Sequence, residues 1–269
     1  MNIKSPMWSW SPSLLPTEWK WFATELVAFA PLWENSTTPT VWTKQNGWTR
    51  CTAIDPAPSW IVNTEGIGLS AENTTGGGYY VPIGGDETLD WSSPKWTLFT
   101  YGSNDNVSTA NQTIVAVNDD TFTGQQYVNI GCELLVNDLK IRVQPYPNGG
   151  GFTITGSVSW DDGLPHSICF IERGTDRDLW VDGNLEINET TSKTYASGRT
   201  RNFSLTNRMT TSAEHEAAWT ATLYWSAVWN RELSSYEIKQ LENYPFGPFR
   251  QTRMLTEPVY PLRYGGWSR

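Results

Sequence analysis

Cysteine, histidine and charge are all scarce in this chain of 269 residues. The three cysteines, Cys51, Cys132 and Cys169, are an odd number set far apart. They fit neither a disulfide framework nor a zinc spacing and read as buried free thiols. The two histidines, His166 and His215, do not form His-Glu-X-X-His, because Glu216 is followed by Ala217, Ala218 and Trp219. Charged residues make up 17% of the chain, against roughly 25% in ordinary soluble domains. With 19 Lys+Arg against 28 Asp+Glu, the net charge of -9 leaves no overall positive field to recruit a phosphate backbone, so nucleic acid is not an expected partner.

Long apolar runs are missing too. Met1 to Pro16 carry only Lys4 as a charge and lack the apolar block of about 7 to 15 residues that marks a secretory signal. The expectation is synthesis in the cytoplasm without export. Trp19 to Trp33 is interrupted by Lys20 and Glu25 and falls short of the roughly 20 apolar residues of a membrane span. No membrane partner is expected. Asn-X-Ser/Thr triplets at Asn35, Asn73, Asn106, Asn111, Asn188 and Asn202 would accept glycans in a secreted protein, and without a signal they read as turn chemistry.

Aromatics are abundant: 16 Trp, 11 Tyr and 9 Phe, 13% of the chain. Such a chain can bury a substantial core, which excludes wholesale disorder. All-β sandwiches run to roughly 250 residues as one unit. Short alternating runs separated by turn residues predict an antiparallel sandwich. The runs are Glu25–Ala30, Trp96–Tyr101, Thr113–Val117, Tyr127–Ile130, Asp138–Val143, Phe152–Thr155, His166–Arg173, a strand and turn at Leu179–Gly183, and Leu223–Trp229. In the last run Leu223, Trp225, Ala227 and Trp229 should share one face. Asp182-Gly183-Asn184 supplies residues that tolerate the positive φ of a tight hairpin. Ser234 with Glu237 three positions on, then Ile238, Leu241 and a stop at Pro245, predicts the one short helix with a capping box.

The ends differ from the body. Trp8, Trp10 and Trp19 stand in the first twenty residues, and Arg250, Arg253, Arg263 and Arg269 in the last stretch are opposed only by Glu257. The expected organisation is an N-terminal aromatic arm at 1–20, a sandwich at 21–245 and a basic, aromatic arm at 246–269. Trp8, Trp10, Phe249, Arg250, Arg253, Tyr260, Arg263 and Trp267 are the residues expected to dock on a neighbouring subunit or partner, since exposed aromatics in a tail invite aggregation.

Several ordered segments carry a resemblance. WFATELVAFAPLWEN (21–35) and WTKQNGWTRCTAIDPAPSWIV (42–62) resemble the opening strand and the Asn-Gly and Asp-Pro-Ala segments of laminin-G-like, concanavalin-A-like jelly rolls of the tailed-bacteriophage type. HSICFIERGTDRDLWVDG resembles that family's histidine-led signature hairpin, and LYWSAVWNRELSSYEIKQLENYPFGPF its last strand, turn and helix. The resemblance spans about residues 20 to 250 and implies an all-β antiparallel jelly roll with one short C-terminal helix and extended terminal arms.

Such folds host lectins, hydrolases and structural modules alike. The Glu-X-Asp-X-X-Glu run of laminarinase-like glycosidases is missing, and so are a P-loop lysine after the triple glycines and a Gly-X-Ser-X-Gly elbow. Asp119-Asp120, Asp161-Asp162 and Asp176/Asp178 read as solvated turn acids. The expectation is therefore a non-enzymatic protein with no catalytic residue and no metal ligand. Calcium is the one ion the resemblance keeps open, without a spaced ligand run to place it. Trp160 with Asp161 and Asp162, and Trp180 with Asp176 and Asp178, are the candidate sugar-binding clusters, because indole faces stack on pyranose rings while carboxylates accept hydroxyl hydrogens. The leading expectation is a virion structural protein of a tailed phage, on capsid or tail, a homo-oligomer such as a trimer, with weak binding to bacterial surface glycans. The alternatives are a lectin-like host-receptor adhesin and, last, a polysaccharide depolymerase.

Overall fold

A computed structural model describes residues 15–32, 38–54, 59–63, 66–70, 78–91, 95–104, 112–119, 127–135, 138–146, 151–160, 162–191, 195, 197–206 and 222–249. Their strands are β1 (Leu26–Ala30), β2 (Thr40–Thr43), β3 (Gly47–Arg50), β4 (Thr52–Ile54), β5 (Ser59–Asn63), β6 (Gly66–Ser70), β7 (Gly78–Gly84), β8 (Trp96–Ser103), β9 (Gln112–Asp119), β10 (Tyr127–Leu135), β11 (Asp138–Tyr146), β12 (Ile154–Ser159), β13 (Pro165–Arg173), β14 (Asp176–Val181), β15 (Asn184–Thr190), β16 (Arg201–Leu205) and β17 (Thr222–Trp229). One α-helix, α1 (Ser235–Asn243), follows them. Among the described residues no helix is long and apolar enough to cross a membrane.

The strands form two antiparallel sheets. The larger runs β15-β14-β13-β8-β17-β1-β2-β3, with β6 also on β17 and β5 on β6; the other runs β12-β11-β10-β9-β16-β7-β4. Alternation places Leu98, Phe170, Leu179 and Val228 of the first sheet against Val117, Ile130 and Phe203 of the second in one buried layer. Burying each such side chain fully contributes roughly 1.5–3 kcal/mol, and this layer makes the sandwich expected from the sequence. At one edge Glu186 of β15 accepts from the Ser157 amide at 3.1 Å and bonds its hydroxyl, joining β15 to β12 across the two sheets.

Turn chemistry acts where the sequence places it. Asp182 and Gly183 have φ of 49° and 69°, the paired positive values of the tightest hairpin loops, and they join β14 to β15. Gly47 (φ 64°) does the same after Asn46 between β2 and β3. Ser234 accepts from the Glu237 amide while Glu237 reaches back to the Ser234 amide, so the predicted capping box is formed. Cys51 and Cys169 are free and buried, and burial pushes the Cys51 thiol up to about 12. The Cys132 side chain lies outside the described residues.

Two expectations are corrected. A bulge opens in β17 between Leu223, opposite Gly102, and Trp225, opposite Tyr101. The extra residue reverses the alternation. Leu223 therefore joins the layer between the sheets, and Trp225 turns to the other side, where it stacks on Phe99 at 4.7 Å and meets Phe29 edge-on at 6.4 Å. The turn after β13 is also shorter than expected: β14 already starts at Asp176, so Asp176 and Asp178 belong to a strand.

Contacts divide the chain into Thr24–Pro245, which holds the sandwich and α1, and a second unit made of the two chain ends. In the second unit, the 3-10 turn Thr17–Ala23 carries buried Trp19 and Phe22, with Trp21 5.6 Å from Trp19 and 6.1 Å from Phe22 between ring centres. A second 3-10 turn, Gly247–Phe249, meets it so closely that a Cβ on Gly247 would lie 2.1 Å from Cζ2 of Trp19. Of the residues expected to dock on partners, Trp8, Trp10, Arg250, Arg253, Tyr260, Arg263 and Trp267 lie outside the described residues, as does the Phe249 side chain.

Candidate functional site

The structure separates the six residues expected to bind sugar. Trp160 is fully buried and belongs to the layer between the sheets; it is a core side chain, because its ring is the large apolar body that fills the space after β12. Asp161 lies outside the described residues. Asp176, Asp178 and Trp180 share one face of β14, but four residues of strand set Asp176 about 13 Å from Trp180. Asp178 is buried, paired with Arg173 at 2.6 Å and accepting from Asn188 at 2.6 Å. Asp176 accepts from the Thr190 hydroxyl at 2.9 Å. These two acids were expected to be solvated at a turn. Register with β13 and β15 gives both a partner and buries Asp178, while Asp176 stays exposed.

Asp162 and Trp180 are brought to the other end of the hairpin. His166, near the start of β13 and 7% exposed, holds Asp182 Oδ2 through Nδ1 at 2.7 Å and Asp162 Oδ1 through Nε2 at 3.2 Å. Burial would lower the imidazole pKa. The bonds and charges of Asp182 and then Asp162 outweigh it and hold the pKa above the ordinary value. Asp182 takes the Ser167 amide on its other oxygen at 3.1 Å. Asp162 caps the Leu164 amide at 2.9 Å, and its Oδ2 stays open among the described residues.

The helix completes this end. α1 packs on β13 and brings Glu242 against Gly183, where an added Cβ would meet the Glu242 side chain at 3.3 Å. Burial raises the Glu242 pKa, a bond from Ser167 opposes this, and the Asp182 charge adds to the rise; its Oε2 is buried without a donor. Leu164, two residues after Asp162, Leu185, in the strand that follows the Asp182–Gly183 turn, and Tyr244, which ends α1, are three of the four exposed large apolar side chains among the described residues. Leu185 lies directly opposite half-buried Trp180. Trp180 and Leu185 thus offer flat and apolar surface at the hairpin end that also carries the Asp162 and Asp182 carboxylates. Among the described residues no three His, Cys, Asp or Glu side chains are placed to hold a metal ion.

Sequence reasoning missed His166, Asp182, Glu242, Leu185 and Tyr244. The signal for the first two was present in the histidine-led strand and the Asp-Gly turn, but only pairing of β13 with β14 brings them together. Glu242 and Tyr244 depend on where α1 lands, which no local pattern encodes.

No protein-family model matches the chain, and no curated protein matches it in sequence. Solved structures do match in fold. A Trypanosoma rangeli sialidase in complex with sialic acid is 15% identical with a TM-score of 0.56, over 86% of this chain and 34% of the sialidase chain. Domain 4 of AbnA, an extracellular arabinanase from Geobacillus stearothermophilus, in complex with arabinotriose, is 11% identical with a TM-score of 0.58, over 81% of this chain and 98% of that domain. The binding domain of Paraclostridial Mosquitocidal Protein 1 is 12% identical with a TM-score of 0.55, over 82% and 52%. The chain thus spans about a third of the sialidase's length. These likenesses support the all-β antiparallel sandwich; the phage affiliation gains nothing from them. They also correct the expectation of a non-enzymatic protein. The sialidases, one of them a covalent intermediate, are glycan-processing enzymes with this fold in their chains, so a missing glycosidase motif is no ground for denying activity.

Proposed function

We propose that this chain is a glycan-binding β-sandwich that works in glycan processing or glycan recognition, with its binding surface at the end of the sandwich marked by Asp162, Asp182 and Glu242. The observation that carries this reading is the His166-linked carboxylate of Asp162, with one oxygen open among the described residues, beside exposed Leu164, and the pairing of exposed Leu185 with half-buried Trp180 at the same hairpin end. An apolar sugar face would rest on Leu185 and on the half-buried ring of Trp180, while hydroxyls donate to the open oxygen of Asp162. The neighbours held with sialic acid and arabinotriose support the ligand class.

The test is a glycan array probed with the whole chain, followed by titration calorimetry of the bound sugars. Asp162→Asn and Trp180→Ala should each weaken binding about tenfold, the loss of one charge-assisted or stacking contact. Binding that neither substitution changes would remove the surface from this end, and silence across the array would end the glycan reading.

The finer setting, a tailed-phage particle that carries this surface on its capsid or tail as an oligomer docked through its terminal arms, rests on the sequence resemblance over about residues 20 to 250 and on the aromatic and basic chain ends. Mass spectrometry of purified particles would decide it, and a particle lacking the chain would end it.

A further inference from the structure

Both ring nitrogens of His166 face carboxylate oxygens, Asp182 Oδ2 at 2.7 Å and Asp162 Oδ1 at 3.2 Å. An ionised carboxylate only accepts, and a neutral imidazole has one N–H. Neutral His166 can therefore donate to one of the two and must present a lone pair to the other. Only the imidazolium satisfies both.

The two acids are unequal. Asp182 sits in the hairpin turn and is also tied by the Ser167 amide. Asp162 is more exposed and held otherwise by one amide two residues away. Loss of a proton therefore falls on the Asp162 contact. The groups facing His166 from the surrounding elements are Asp162 from the segment before β13, Asp182 from the turn after β14, and Glu242 from α1, with Lys239 beyond Gly183. Its pairing partner on β8 is Gly102, which brings no charge.

We propose that His166 is a protonation-dependent latch that positions Asp162 at the sugar-binding surface, so that the surface is assembled when the imidazole is charged and loosened when it is neutral. The consequence for binding rests on the glycan reading above; the latch itself does not. Sugar affinity falls about tenfold as pH rises through the histidine's titration, because one charge-assisted acceptor leaves its place.

The experiment separates the two claims. In the full chain labelled with nitrogen-15, NMR follows the imidazole of His166 and the amide of Leu164 from pH 5 to 9, with His166→Gln assigning the ring signals against His215. Expected is a Leu164 amide that titrates with the His166 midpoint and becomes pH-independent in His166→Gln. Asp162→Asn serves as a second variant should the glutamine form fold poorly: it lowers the His166 midpoint and uncouples Leu164. A Leu164 amide indifferent to the His166 titration overturns the latch. N-acetylneuraminic acid and arabinotriose are then titrated across the same range. A tenfold fall in the wild type, absent in His166→Gln, supports the full proposal, and a pH profile unchanged by that substitution overturns its binding half. Failure of both sugars and of the array with the latch intact overturns the glycan reading while establishing the latch.

Discussion

Glu172 of β13 and Arg177 of β14 meet at 2.7 Å with both side chains closed off from solvent. The guanidinium lies 5.1 Å from the Phe152 ring centre and 5.9 Å from that of Tyr195. Burial pushes the Glu172 carboxyl up to about 8, and Arg177 and the Tyr195 hydroxyl only partly offset this. The two partners therefore differ in how they tolerate being alone. A carboxyl stripped of its arginine can take a proton, whereas a guanidinium cannot give one up. Glu172→Leu should cost roughly 3–5 kcal/mol, and Arg177→Met clearly less, read from urea unfolding midpoints. Equal losses would contradict this asymmetry.

Stability should fall as pH rises. Glu172 and His166 both have folded pKa values above their ordinary ones, so the folded state binds the extra proton. The Glu172 contribution is fully present below its ordinary value near 4.5 and is gone above about 8. The His166 contribution is present below 6.5 and is lost through its raised value. Melting temperatures between pH 5 and 9 should decline, and Glu172→Gln should flatten the curve.

Trp160→Ala and Trp180→Ala should separate stability from binding. Trp160 is fully buried in the core, and its truncation should cost about 3–5 kcal/mol. Trp180 is half-buried opposite exposed Leu185, and its truncation should weaken sugar binding with a smaller loss of stability. Circular-dichroism melts beside calorimetric titration distinguish the two outcomes.

Gly102→Ala should destabilise the sandwich by more than a typical surface change. Its Cβ would stand 2.8 Å from the Thr222 carbonyl oxygen and from Ile114 Cδ1, and a backbone oxygen cannot swing aside as a side chain can. A loss of roughly 1–3 kcal/mol follows from such overpacking. Gly247→Ala should act likewise in the second unit by driving the Trp19 ring aside, seen as faster proteolysis of the chain ends.

Alternation, turn residues and the Ser234–Glu237 pair act over a few neighbours, and so β1, β8 to β14, β17, the Asp182–Gly183 hairpin and the capped helix were legible in the chain, whereas β7, β15 and β16 were not read from it. The fate of each polar group was not legible either. Whether Asp178 is solvated or buried depends on Arg173 and Asn188, which register places beside it. Trp225 left the face that alternation assigns to it because one added residue bulges β17 against β8. The pairing of β13 with β14 set His166 beside Asp182, and the docking of α1 brought Glu242 to them. Local patterns encode backbone conformation because its energetics are local; charge, burial and proton affinity are set by neighbours distant in sequence, which only the packed sheets supply.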